Sequence, residues 1–73
     1  MKVYNLTVIV QKDEERNYLA ICPSLQGCYT DGETLEEALE MIEDAIKLHI
    51  EDRLECGEPI PEELYSSQLK ITM

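Results

Sequence analysis

Basic residues are scarce in this chain. Its 73 residues include six Lys and Arg against 16 Asp and Glu, and the formal net charge is −10. A protein that binds the phosphate backbone of a nucleic acid needs clustered Lys and Arg, whereas these six are scattered. We therefore expect no direct nucleic-acid contact. The acidity indicates either solubility alone or a surface complementary to a basic protein.

Long apolar runs are also missing. No run approaches the ~20 residues that a membrane-spanning helix needs, and no basic and apolar leader typical of a secretion signal opens the chain. Three cysteines, an odd number, do not suggest a disulfide framework. We expect one cytoplasmic domain, residues 1–73, with reduced thiols. A domain this small buries only ~60% of its unfolded surface, which favours self-association or a bound partner.

Alternating apolar residues predict four strands. They span residues 3–10, 18–22, 27–30 and 69–73. The polar run 11–17 predicts a hairpin loop that makes the first two strands antiparallel, and Asp31-Gly32 is typical of a turn. The final strand is expected to lie parallel to the first through a right-handed crossover. The predicted fold is α+β, in the order β-β-β-α-β, with one four-stranded mixed sheet in the order 3-2-1-4.

A helix is predicted over residues 35–55, packed on one face of that sheet. Thr34 followed by Glu37 is a capping box, and Gly57 followed by Pro59 marks the C-terminal end. At 100° per residue, one arc is apolar and should pack on the sheet. This arc contains Leu35, Ala38, Leu39, Ile42, Ala45, Ile46, His49 and Ile50.

The opposite side of the helix, called the acidic face below, carries carboxylates. It comprises Glu36, Glu37, Glu40, Glu43, Asp44, Glu51 and Glu55. Met41 and Leu48 lie one heptad apart on its border, either at the margin of the core or as an apolar contact patch for another chain. The candidate partner-binding residues are Glu36, Glu37, Glu40, Met41, Asp44, Leu48 and Glu51.

The chain resembles the HicB-like antitoxin family of toxin–antitoxin pairs. The family pattern is Pro-x-Leu-x-Gly-Cys-x-Thr-x-Gly, then Thr-x-x-Glu-Ala on the helix and Gly-x-x-Ile-Pro after it. The matching residues are Pro23, Leu25, Gly27, Cys28, Thr30, Gly32, Thr34, Glu37, Ala38, Glu43, Ala45, Gly57, Ile60 and Pro61. The resemblance covers nearly the whole sequence, and the ordered set is more specific than any one element.

This resemblance implies a degraded RNase H-like fold and a binding role. The antitoxin docks on a small basic HicA-like ribonuclease and blocks its RNA site, and a net charge of −10 suits that task. Many family members continue into a DNA-binding segment. Here no residue follows Met73, so we expect a stand-alone antitoxin domain without operator binding. The alternative is an orphan domain that assembles with itself as a dimer or tetramer.

Catalysis, a metal site and a cofactor are not expected. Two-metal phosphodiester hydrolysis needs converging carboxylates, yet residues 3–10 and 69–73 contain no Asp or Glu. Cys22, Cys28, Cys56 and His49 fit no zinc spacing. Cys22 and Cys28 are interpreted as small core residues at strand ends, and His49 as a partly buried ring at the edge of the apolar arc. A pH-linked role of His49 in assembly is the alternative.

Overall fold

Three antiparallel strands and one helix form the regular structure of the part of the chain that the computed structural model describes, residues 2–15 and 17–73. The elements are β1 (Ile9–Lys12), β2 (Tyr18–Ile21), β3 (Tyr29–Gly32) and α1 (Leu35–Cys56). The sheet order is β1-β2-β3. Met1 and Arg16 belong to the predicted domain, and Arg16 to the predicted hairpin loop; both lie outside the described residues.

The β1–β2 hairpin is closed by Asp13. Its backbone N–H donates to the carbonyl of Asn17 at 2.9 Å, and its carboxylate oxygen Oδ1 accepts from the N–H groups of Glu15 and Asn17 at 2.9 Å each. A side chain that satisfies backbone donors two and four residues ahead stabilises the turn. The hairpin predicted from the polar run is therefore confirmed, although β1 extends two residues into that run.

A second loop, residues 22–28, folds around a buried leucine. The N–H of Leu25 donates to the carbonyl of Cys22, and the N–H of Cys28 donates to the carbonyl of Leu25, both at 3.1 Å. Leu25 is only 1% exposed, and Cys22 and Cys28 are buried beside it. This loop therefore supplies half of the six-residue core, which Ala20, Ala38 and Ile42 complete.

Helix α1 lies close to the sheet at Gly32. A Cβ atom at this position would lie 2.6 Å from the backbone nitrogen of Ala38, closer than real contacts allow. Nearby, the hydroxyl of Thr30 donates to the carbonyl of Ala38 at 3.3 Å. The small residues Gly32 and Ala38 thus set the distance and position of the helix over β3.

Thr34 and Gly57 cap the two ends of α1 as predicted, although of the capping box only the hydrogen bond to Thr34 forms. The hydroxyl of Thr34 accepts from the N–H of Glu37 at 3.1 Å. At the other end Gly57 adopts φ +72°, and the N–H of Glu58 donates to the carbonyl of Arg53 at 2.8 Å. The predicted bounds are confirmed to within one residue. The 22-residue helix is ~33 Å long, whereas a four-residue strand spans only ~13 Å, so the helix extends well beyond the sheet.

The predicted fold class is wrong in its sheet. Instead of a four-stranded mixed sheet in the order 3-2-1-4, the described residues form a three-stranded antiparallel sheet, and residues 69–73 form no strand. A groove lies between residues 7–10 and residues 65–68, so residues 65–68 pass the edge of β1 without pairing. Alternation at Leu69, Ile71 and Met73 indicates that a strand can form, but it does not specify a neighbour.

Two strand boundaries also need correction. Residues 3–8 of the predicted first strand are not in a strand, since the pairing of β1 with β2 begins at Ile9, opposite Ile21. The third strand lies two residues further along than predicted, and Asp31-Gly32 belongs to it rather than to a turn. The second strand, predicted over 18–22, is confirmed apart from its last residue.

The close approach at Gly32 predicts a large cost for one methyl group. We expect Gly32→Ala to destabilise the protein by roughly 2–3 kcal/mol, the upper range for overpacking, because backbone atoms of α1 stand in the way. Gly57→Ala is the matched control: it strains a positive φ, at ~1 kcal/mol, but meets nothing within 4 Å. Urea unfolding of both variants checks this; a cost for Gly32→Ala no greater than for Gly57→Ala would contradict it.

Candidate functional site

The seven residues predicted to bind a partner all lie on α1 and are all exposed. They are Glu36, Glu37, Glu40, Met41, Asp44, Leu48 and Glu51. The helix carries eight Asp and Glu and only two basic residues, Lys47 and Arg53. Lys47 pairs with Glu43 at 3.7 Å, as its i,i+4 spacing suggests, but both side chains are well exposed and such pairs contribute little to stability. The acidic face therefore remains strongly negative.

Met41 and Leu48 are surface residues within this acidic surrounding. Met41 is 44% exposed and Leu48 is 66% exposed. Side chains three or four positions apart on a helix are neighbours, so Asp44 lies next to both, with Glu37 beyond Met41 and Glu51 beyond Leu48. The structure places these two apolar side chains outside the core. Their contact with a partner remains a prediction.

The predicted apolar arc of the helix is packed at six of its eight residues. Ala38 and Ile42 are buried, and Ala45 and Ile46 pack against the core from its margin. His49 and Ile50 are half-buried. In contrast Leu35 and Leu39 are 42% and 43% exposed, so their assignment to the packed arc is wrong.

Three hydrogen bonds converge on the carboxylate of Glu63. The backbone N–H of Thr7 donates to Oε2 at 2.7 Å, the hydroxyl of Thr7 donates to Oε1, and the hydroxyl of Ser24 donates to Oε2 at 2.8 Å. We call this cluster the Glu63 node. It ties together the chain before β1, the loop after β2 and the chain after α1, which are far apart in the sequence.

These hydrogen bonds stabilise the charged form of Glu63. Those from the hydroxyl and the N–H of Thr7, followed by that from Ser24, hold the pKa of the carboxyl below its usual value. The sequence pattern did not predict this node. Glu63 is one of 16 acidic residues, and nothing local marks the one whose donors come from positions 39 and 56 residues away.

A separate feature, the edge groove, lies beside the first half of β1, at Ile9 and Val10. Residues 7–10 line one wall and residues 65–68 the other, with Pro23, Ser24 and Glu63 between them. Its volume is about 700 Å³. The Glu63 node lies at this groove and holds its two walls together.

The cysteines have a structural role where they are buried. Burial raises the pKa of the Cys22 and Cys28 thiols, which keeps both protonated and unreactive at neutral pH. Their interpretation as core residues is confirmed. Cys56 is exposed at the end of α1. Across residues 2–15 and 17–73, no three His, Cys, Asp or Glu side chains are grouped so that they could hold a metal ion.

Comparison with known proteins decides the family. The family model described as "HicB_like antitoxin of bacterial toxin-antitoxin system" matches residues 6–71. The chain belongs to the HicB-like antitoxin family. Membership indicates an antitoxin role in general, with a toxin as the partner and binding rather than catalysis as the task. The resemblance seen in the sequence motifs is thereby confirmed.

Several relatives of this HicB-like chain carry the name UPF0150 protein. One from Synechocystis sp. is 42% identical over 62 residues, covering 85% of this chain and 78% of that protein. Another from Thermoplasma acidophilum is 46% identical over 55 residues, covering 75% of this chain and 80% of that protein. A second Synechocystis protein is 39% identical over 67 residues, covering 90% and 93%. No solved structure matches the chain significantly.

The helix content adds one finding on membranes. Among the described residues of this HicB-like chain, no helix has both the length and the apolar character to cross a bilayer.

The Glu63 node predicts a pH-dependent contribution to stability. Because the folded-state pKa of Glu63 is lowered, its stabilising effect is complete above the ordinary carboxyl pKa, about 4.3, and is lost as the pH falls through the folded-state value. We expect Glu63→Gln to lower the free energy of unfolding at pH 7, and the difference from wild type to shrink below about pH 4.

Urea unfolding between pH 3 and 7 measures this difference. Glu62→Gln removes the same charge one residue away without touching Thr7 or Ser24, and it sets the baseline for charge removal alone. Equal effects of the two substitutions at every pH would show that the node contributes nothing.

Proposed function

We propose that this HicB-like protein neutralises a small basic HicA-like ribonuclease by covering its RNA-binding surface with the acidic face of α1. The observation that carries the proposal is the exposed pair Met41 and Leu48 surrounded by carboxylates. An RNA-binding surface is positive, so the carboxylates steer the two proteins together, and their effect lies mainly in the rate of association and in specificity.

The two apolar side chains supply most of the affinity in this proposal. Exposed ion pairs contribute only ~0.2–1 kcal/mol each, whereas interface energy concentrates in a few side chains that become buried near the centre. Met41 and Leu48 are the apolar residues of the acidic surface that can fill such pockets. The length of α1 beyond the sheet leaves Leu48 accessible to a partner.

The proposed site of action is the cytoplasm. A toxin that cleaves RNA acts where RNA is abundant, and its antitoxin has to meet it there. All three cysteines are free thiols, which is usual in a reducing compartment.

The interface predicts a sharp effect of charge at two positions. We expect Met41→Glu and Leu48→Glu each to weaken binding to the toxin encoded in the neighbouring reading frame at least ten-fold, equivalent to ~1.4 kcal/mol, with the fold retained. Calorimetry on the purified pair measures the affinity, and circular dichroism checks the fold. Leu64→Glu is the matched control, because Leu64 is 97% exposed but lies outside α1.

Unchanged affinity in both helix variants, with Leu64→Glu also silent, would contradict the proposed surface. Loss of the fold in both would assign Met41 and Leu48 to the structure instead. Failure of the wild-type protein to bind any basic ribonuclease from the neighbouring frame in a co-expression pull-down would overturn the proposed function itself.

We also propose that the protein associates with itself. The observation that favours this is the outer side of β1, which pairs with no strand among the described residues. Open strand edges are templates for pairing with another chain, and a core of six buried residues gains stability from further burial.

A further inference from the structure

The C-terminal segment, residues 69–73, is unusually exposed for its composition. Leu69 is 81% exposed, Ile71 is 71% exposed and Met73 is completely exposed. These residues alternate with Lys70 and Thr72, so an extended conformation would place all three apolar side chains on one side. The segment is a strand-forming sequence that lacks a neighbour within its own described chain.

The edge groove offers this segment a strand with which it can pair. On one wall, the outer side of β1 presents backbone N–H and C=O groups that no described strand uses. The other wall is formed by residues 65–68 of the same chain, and the Glu63 node fixes its position. An extended peptide that enters the groove would pair with β1 and bury its apolar side chains at the sheet edge, the binding mode known as strand addition.

Charge indicates that the occupant comes from a second copy of this chain. All 16 acidic residues lie between positions 13 and 63. Residues 2–12 and 64–73 contain none and carry Lys2, Lys12 and Lys70. Two copies with a net charge of −10 each repel one another through most of their surface, so close approach is favoured where these two acid-free segments meet.

Glu63 is the acidic residue that lines the groove, and its charge does not repel the incoming segment. Glu63 already accepts hydrogen bonds from Thr7 and Ser24, so its carboxylate is directed into the node rather than toward an incoming strand. The only charged residue of the segment, Lys70, is basic. The groove and the segment are therefore electrostatically compatible.

We propose that residues 69–73 of one copy occupy the edge groove of a second copy and pair with the outer edge of β1, reciprocally in a two-fold symmetric dimer. The inference rests on the proposed self-association and adds its location. A two-fold arrangement uses the same groove and segment on both copies, which closes the assembly at two chains. The acidic face of α1 lies outside these contacts and stays available.

Sedimentation velocity of the full chain over a range of concentrations tests the dimer. We expect the wild-type protein to sediment as a dimer. In the Ile71→Lys variant we expect the dissociation constant of the dimer to rise at least ten-fold. Leu64→Lys, which adds the same charge at an even more exposed apolar position, should remain a dimer. A wild-type monomer at all concentrations would overturn both self-association and this inference.

Cross-linking separates exchange between copies from pairing within one chain. In a Cys56→Ser background, one chain carries Ile9→Cys on β1 and a second carries Ile71→Cys; Cys22 and Cys28 stay buried. After mixing, a short thiol cross-linker should join the two variants to each other more efficiently than either to itself. A third chain that carries both substitutions serves as the comparison for cross-links within one chain.

The results distinguish the inference from the proposed self-association. Cross-links that form only within single chains of the double variant would overturn exchange. A dimer that tolerates Ile71→Lys would overturn the location while self-association stands. Toxin binding by Ile71→Lys at the wild-type level would show that the two surfaces are independent, as the inference requires, and its loss would count against it.

Discussion

The close approach of α1 to β3 at Gly32 is the contact on which the rest of the structure depends. With no side chain at Gly32 and only a methyl group at Ala38, the helix lies directly on the sheet. This seating determines which helix residues are buried, since Ile42 follows Ala38 by one turn into the core. It also directs the carboxylates, Met41 and Leu48 to the outside. A wider spacing would open the small core and rotate the acidic face.

The Glu63 node has a different task, since it fixes a segment that has no regular structure. After Gly57 the chain forms no further helix or strand in the described residues, and the carboxylate of Glu63 with its three donors anchors it to the rest of the domain. Because two of those donors belong to Thr7 and one to Ser24, the node joins the chain before β1 and the chain after α1 to the loop of residues 22–28. Close packing at Gly32 and Ala38 positions the helix, and the hydrogen bonds of the Glu63 node position the chain that follows it.

Local signals in the sequence predicted the local structure well. Thr34, Glu37 and Gly57 set the helix ends through hydrogen bonds that span three to five residues, and the alternation around Ala20 identified β2. Local signals could not predict whether residues 69–73 join the sheet. Apolar alternation at residues 69–73 is compatible with pairing inside the chain, pairing with another chain or no pairing, and the decision depends on where Glu63 is held. The candidate surface was predictable because exposure on a helix follows its period, whereas the node and the edge groove bring together residues that share no local pattern.

The core of six buried residues has a consequence for the lifetime of the protein in a cell. A domain with so little buried surface has a modest free energy of unfolding, so the free chain visits open states that proteases can cleave. A bound partner stabilises the folded form in proportion to the logarithm of its free concentration over the dissociation constant. A bound toxin would therefore protect this HicB-like chain from unfolding and from the cleavage that follows it.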